Sequence, residues 1–225
     1  MADHFICTEG DTDRVVFERL APGATVLPVK PKPCTSKADQ PQGSDAAIKT
    51  GLDLARGAVI RVTIALDVDT GTPAEVHLRV ERAMRDAGFS FSGGAGRYLV
   101  DKTEVRVVAV GLPGNPVLRD LGVAAHAVDD YLILLLADGK VQAGLFDKRF
   151  ISSPQLTDFQ SILKSTLQHL RERGISAAGS KQLLDVSRAI LGFRASPATM
   201  AQAILSVAPP DLSQSVLAPL AQAMQ

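Results

Sequence analysis

The stretch VIRVTIALDVDTGTPAE, residues 59–75, joins a strand, an acidic turn and a helix start, and its reading decides the fold. Val59 to Leu66 is rich in β-branched residues, which favour a pleated, buried strand. The strand runs straight into Asp67-Val68-Asp69. Thr72-Pro73-Ala74-Glu75 then has the chemistry of a helix N-terminus: a threonine to cap, a proline at the first helical position and a glutamate placed for a capping box. Val76, Val80, Ala83 and Ala87 recur at helical spacing and predict one apolar face, with Gly88 as the stop.

Working outward, His4 to Thr8 (HFICT) predicts a short strand, and Val16, Phe17 and Leu20 give a helix over 12–20. Thr25 to Val29 predicts a second strand. The prolines that follow, at 28, 31, 33 and 41, predict an exposed loop over 30–43. Ser44-Asp45 can cap a helix over 46–56. Glu104 to Val110 is a further strand, stopped by the turn residues Leu112-Pro113-Gly114-Asn115-Pro116. Gly93-Gly94-Ala95-Gly96 lacks the lysine and hydroxyl residue of a phosphate-binding loop and reads as a flexible connection. Strands alternating with helices predict an α/β domain with a largely parallel sheet over residues 1–150.

Beyond that point the pattern becomes helical. Leu156, Phe159, Leu163, Leu167 and Leu170 form one stripe, closed by Gly174, and further helices fit 180–192, 197–207 and 212–224. Residues 151–225 therefore read as an all-helical C-terminal region. Its apolar stripes need cover, from the α/β domain or from a second subunit in a homo-oligomer.

Composition narrows the function. Lysine plus arginine and aspartate plus glutamate number 24 each, so no long-range field steers the chain toward nucleic acid. The absence of tryptophan, with two tyrosines and eight phenylalanines, leaves little for a base-stacking platform. The two cysteines, Cys7 and Cys34, are too few for a disulfide framework and point to a reducing cytoplasm. The longest apolar run, Tyr131 to Ala137, falls short of the roughly 20 residues a membrane-spanning helix needs.

The acidic residues carry the chemistry. Magnesium prefers hard oxygen donors and is usually held by one or two carboxylates together with substrate phosphates. If the strand geometry persists through Asp67-Val68-Asp69, both aspartates point to one face and Val68 points into the core. Glu9 ends another strand at the same predicted edge, where ligands bind in open α/β sheets. The loop Gly10-Asp11-Thr12-Asp13 leads from it into a helix whose N-terminus attracts anions.

Ile6-Cys7-Thr8-Glu9-Gly10-Asp11-Thr12-Asp13, followed later by a strand ending in Leu66-Asp67-Val68-Asp69, resembles the Toprim signature of topoisomerases, bacterial primases, overcoming-lysogenization-defect nucleases and recombination-mediator proteins. The resemblance covers roughly residues 4–137. Small stand-alone Toprim-like proteins with a helical tail are the most similar, together with the nuclease branch. It implies that Glu9 is a general acid or base and a metal partner, and that Asp67 and Asp69 bind magnesium, with manganese as a substitute. The nuclease branch adds Asp13 through its Glu-x-x-x-Asp spacing. Its later small-x-x-aliphatic-acidic motif is similar to Ala125-His126-Ala127-Val128-Asp129-Asp130, which adds Asp129 and Asp130 as ligands, although alanine stands where serine is usual.

The expected function is magnesium-dependent hydrolysis of a nucleic-acid or nucleotide phosphodiester. A non-catalytic Toprim-like module that binds a nucleotide or a partner is the alternative. A haloacid-dehalogenase-like phosphatase, suggested by Asp67-Val68-Asp69-Thr70-Gly71-Thr72, is the third reading. Two cysteines cannot build a primase zinc site, and only Tyr98 and Tyr131 exist as tyrosines for a topoisomerase. His126 reads as a polar surface group and Lys181 as a solvated helix end.

Overall fold

The computed structural model describes residues 4–29, 43–57, 60–151 and 159–225. Residues 30–42 of the predicted proline-rich loop, Cys34 among them, and the start of the 59–66 strand lie outside these residues, as does Leu156. The described residues form two compact units, residues 1–110 with 220–225, and residues 111–219.

The first unit is built on a six-stranded sheet. Its strands are β1 (His4–Thr8), β2 (Thr25–Pro28), β3 (Arg61–Asp67), β4 (Phe91–Gly94), β5 (Arg97–Val100) and β6 (Thr103–Val110), in the spatial order β2-β1-β3-β6-β5-β4. The first four strands in that order pair in parallel, and β5 and β4 add antiparallel to the edge. The crossovers between the parallel strands carry α1 (Asp11–Leu20), α2 (Ser44–Arg56) and α3 (Pro73–Asp86). The fold is thus mixed α/β with a mostly parallel sheet, as the alternation of elements requires.

Burial follows the two periodicities. Val62, Ile64 and Leu66 of β3 and Val105 and Val107 of β6 alternate onto one face, where Ala47, Ile48 and Leu52 of α2 and Val76, Val80 and Met84 of α3 pack on them. Gly51 makes this close approach possible: a Cβ there would stand 2.6 Å from Ile64 Cγ1. The α3 N-terminus has the full capping box, with Thr72 accepting from the Glu75 N–H and Glu75 accepting from the Thr72 N–H at 2.7 Å.

The glycine-rich stretch at 93–96 is not a loose connection. It is the turn of the β4–β5 hairpin, with Ala95 at φ 51° and Gly96 at φ 85°. Two central residues of positive φ match the twist of a two-residue hairpin, a turn signal that the sequence reading treated only as flexibility. At the opposite ends of the central strands, Glu104 bridges Arg61 at 2.8 Å and Arg106 at 2.6 Å, and the Arg106 guanidinium also donates to the Met224 carbonyl.

The second unit holds α4 (Pro116–Asp120), α5 (Asp129–Leu136), α6 (Gly139–Asp147), α7 (Phe159–Glu172), α8 (Ser180–Leu191) and α9 (Pro197–Val207); α10 (Pro210–Ala223) begins in it. The predicted boundary near 150 therefore differs from the division seen, which falls after Val110. The reason is packing: α5 lies against α8 and α9, and α6 against α9, so the apolar run at 131–137 is the core of the helical unit. Tyr131, Leu132, Ile133, Leu135 and Leu136 are all buried there. Among the described residues no helix is long and apolar enough to cross a membrane.

Candidate active site

Two of the predicted site residues meet directly. Glu9 follows β1 and Asp67 closes β3, the adjacent parallel strand, so both stand at the carboxyl edge of the sheet. Glu9 Oε1 accepts a hydrogen bond from the Asp67 backbone N–H at 3.0 Å. That bond uses a strand-end donor, since β3 stops pairing with β1 before Asp67. Asp67 is 4 % exposed, and Val68 beside it points into the core, as predicted.

Asp69 departs from the strand. Its φ is 52°, the left-handed region that aspartate tolerates better than most residues. The extended geometry that would place both aspartates on one face therefore ends at Val68, whose N–H still pairs with the Val110 carbonyl. Gly71 N–H donates back to the Val68 carbonyl and closes the turn, leaving Asp69 exposed at its corner. Strand alternation carried through Asp69 would put both aspartates on one face; turn formation before the capped α3 overrides it.

Asp13 is buried in the first turn of α1, with its Oδ2 close enough to stand 3.4 Å from a Cβ built on Gly10. Gly10 is the α1 N-cap in extended conformation and has no side chain to cap with. Acidic residues in this turn, Asp11 and Asp13, complement the helix dipole.

One residue of this edge escaped the sequence reading. Gly43, just before α2, has φ 55° and ψ −124°, and a Cβ there would stand 3.2 Å from Glu9 Oε2. The missing side chain thus makes room for the second Glu9 oxygen. A glycine after a proline-rich stretch gives no hint of that role.

Among the described residues no three histidine, cysteine, aspartate or glutamate side chains gather in a group that could hold a metal. Magnesium needs only one or two carboxylates besides phosphate and water. The carboxylate oxygens of Glu9 and Asp67, brought to one strand edge, are donors of that kind.

Asp129 and Asp130 belong to the second unit, where they open α5. Asp130 is fully buried: its Oδ2 accepts from the Leu112 N–H at 2.8 Å and meets His126 Nδ1 at 2.8 Å. Burial raises its pKa, and the Leu112 and His126 contacts oppose the rise. Asp129 is 3 % exposed, and burial pushes its carboxyl up to about 6, with the Lys181 charge pulling it down. His126 is therefore not a surface group, because the (i, i+4) relation to Asp130 draws it inward. Lys181, exposed in the first turn of α8, acts on Asp129 electrostatically as well as facing solvent.

No protein-family model matches the chain, and no curated protein matches it. Among solved structures, the chain is similar to the crystal structure of a hypothetical protein, PH0156, from Pyrococcus horikoshii OT3. Identity is 14 % and the TM-score is 0.63, with 100 % of this chain and 99 % of that one covered. At this identity the likeness is one of fold, and it extends to the mostly parallel sheet and the C-terminal helices alike.

Proposed function

We infer that the chain hydrolyses a phosphodiester of nucleic acid or nucleotide with the help of magnesium, as its resemblance to Toprim proteins implies. The observation that carries this reading is the pairing of Glu9 with Asp67 at the carboxyl ends of neighbouring parallel strands. Asp67 would hold the ion with Glu9 as its partner, and Asp69 would join them only by reaching back from the exposed turn corner. The ion supplies charge neutralisation at the phosphate and a lowered pKa for bound water.

The residues of the chain have separate tasks. Asp67, buried against the strand end, presents its carboxylate from a rigid base. Glu9 is oriented through Oε1 by the Asp67 N–H, which leaves Oε2 over Gly43 to take or give a proton. The α1 N-terminus, uncapped by any side chain of Gly10, offers backbone N–H groups to a phosphate oxygen. A reducing cytoplasm suits the free, buried Cys7, whose thiol burial pushes up to about 12.

The test is cleavage of labelled single- and double-stranded DNA and RNA, and of bis(p-nitrophenyl) phosphate, with magnesium or manganese. Metal-dependent cleavage that is lost in Asp67→Asn supports the reading. Absence of cleavage of every substrate by the wild-type chain sinks it and favours a non-catalytic Toprim-like binding module.

A further inference from the structure

A second concave site lies on the outer surface of the first unit, between α2 and α3, with a cavity volume of about 440 Å³. That volume is in the range of small-molecule sites, roughly 300–1,000 Å³. Ile48 and Leu52 of α2, Ala83 of α3 and Ala87 at the α3 C-cap make an apolar floor. Small residues on the α3 side keep the floor open.

The rim is charged and incompletely paired. Arg79 bridges Asp45 across the groove at 2.7 Å, and Arg56 lies 3.9 Å from Asp53. Lys49 and Arg82 also line the groove, and neither forms an ion pair or hydrogen bond among the described residues. Asp86 lines it as well, without an ion pair there. Arg56 is held in place: its guanidinium donates to the Ala87 carbonyl at 2.8 Å and lies 4.8 Å above the Phe89 ring. The groove thus offers an apolar floor, two unsatisfied cations, one acceptor and an oriented guanidinium.

We propose that the groove between α2 and α3 binds a nucleoside monophosphate, with the phosphate on Lys49 and Arg82 and the base over Ile48, Leu52 and Ala83. A phosphate monoester carries between one and two negative charges near neutral pH and matches two unpaired cations better than a carboxylate does. Asp86 accepts from the ribose hydroxyls or an exocyclic amine, which a simple anion lacks. The site is separate from the Glu9–Asp67 edge and does not depend on the hydrolytic reading.

The test is calorimetric titration of the full chain with adenosine 5′-monophosphate in the absence of divalent metal, alongside adenosine, inorganic phosphate and indole-3-acetate. The nucleotide binds saturably, and the other three bind at least about tenfold more weakly, since each lacks one part of the match. Arg82→Ala and Lys49→Ala, both at exposed positions, each weaken the nucleotide about tenfold, the loss of one charge-assisted contact. Ala83→Leu, which fills the floor, abolishes binding, whereas Asp67→Asn leaves it unchanged. The proposal is overturned by absence of saturation below about 10 mM nucleotide, by indole-3-acetate binding as tightly, or by losses in Asp67→Asn and not in Arg82→Ala.

Discussion

The carboxylate of Glu9, at the end of β1, accepts the backbone N–H of Asp67, at the end of β3, at 3.0 Å. The bond makes one residue answer to two demands, satisfying a strand end and presenting a carboxylate. The two demands separate by substitution. Glu9→Gln retains an acceptor oxygen, so its urea midpoint stays within about 0.5 kcal/mol of wild type while turnover falls by about 10². Glu9→Ala leaves the Asp67 N–H without its partner and costs about 1–3 kcal/mol as well. Equal activity loss with equal stability loss in both variants would show that Glu9 only holds the strand end.

Gly43 should tolerate no side chain. Its φ of 55° with ψ −124° disfavours any L-residue, and a Cβ would press on Glu9 Oε2 at 3.2 Å. Gly43→Ala is expected to lose about 1–3 kcal/mol in chemical denaturation. Activity should fall further than stability explains, because Glu9 must turn away.

Asp69 tests whether its position serves folding or chemistry. A left-handed φ of 52° costs an aspartate more than a glycine. Asp69→Gly is therefore expected to hold or raise the thermal midpoint, by up to about 1 kcal/mol of stability. Magnesium affinity measured by calorimetry should fall in the same variant, as in Asp67→Asn. A stable Asp69→Gly variant with unchanged magnesium affinity would remove Asp69 from the site.

The parallel part of the sheet was legible because each strand keeps period two and each helix keeps 3.6. Thr72 to Glu75 announced α3 through capping chemistry that acts locally. Glu9 and Asp67 could be placed at one edge because parallel strands share a direction. The conformation of Asp69 was not legible, since whether a strand continues past its last paired residue depends on the turn that follows. The β4–β5 hairpin was hidden because Ser92, Gly93 and Gly94 are exposed and carry no apolar alternation. The division after Val110 was hidden too: the Tyr131 to Leu136 run is equally apolar whether it packs on a sheet or on α8 and α9.

Asp129 gives the second unit a pH signature. Burial lifts its folded-state pKa to about 6, above an unfolded value near 3.9, so the native state holds a proton that the unfolded chain has lost. The stability from this group is present below about pH 4 and is lost as pH rises through about 6. Asp129→Asn should match wild type near pH 4 and exceed it by about 2–3 kcal/mol above pH 6.5, in urea melts across that range. A constant difference at all pH values would show that Asp129 is not held protonated.

Truncation after Pro219 should destabilise the first unit, although the cut lies far along the chain. It removes the Met224 carbonyl that Arg106 meets, along with the buried Leu220 side chain. The loss is expected at about 2–4 kcal/mol, read as a lower urea midpoint for the sheet unit. Arg106→Met in the full chain should cost less, because it leaves no buried charge behind.

The return of residues 220–225 to the sheet unit makes residues 111–219 an insertion between two parts of one body. Translation therefore delivers the sheet, then the whole helical unit, and only afterwards the segment that covers Arg106. Domains generally fold as they emerge, at roughly 5–20 residues per second. The Arg106 and Glu104 cluster is therefore completed by a segment made more than a hundred residues after β6, and the synthesis of β6 alone does not seal it.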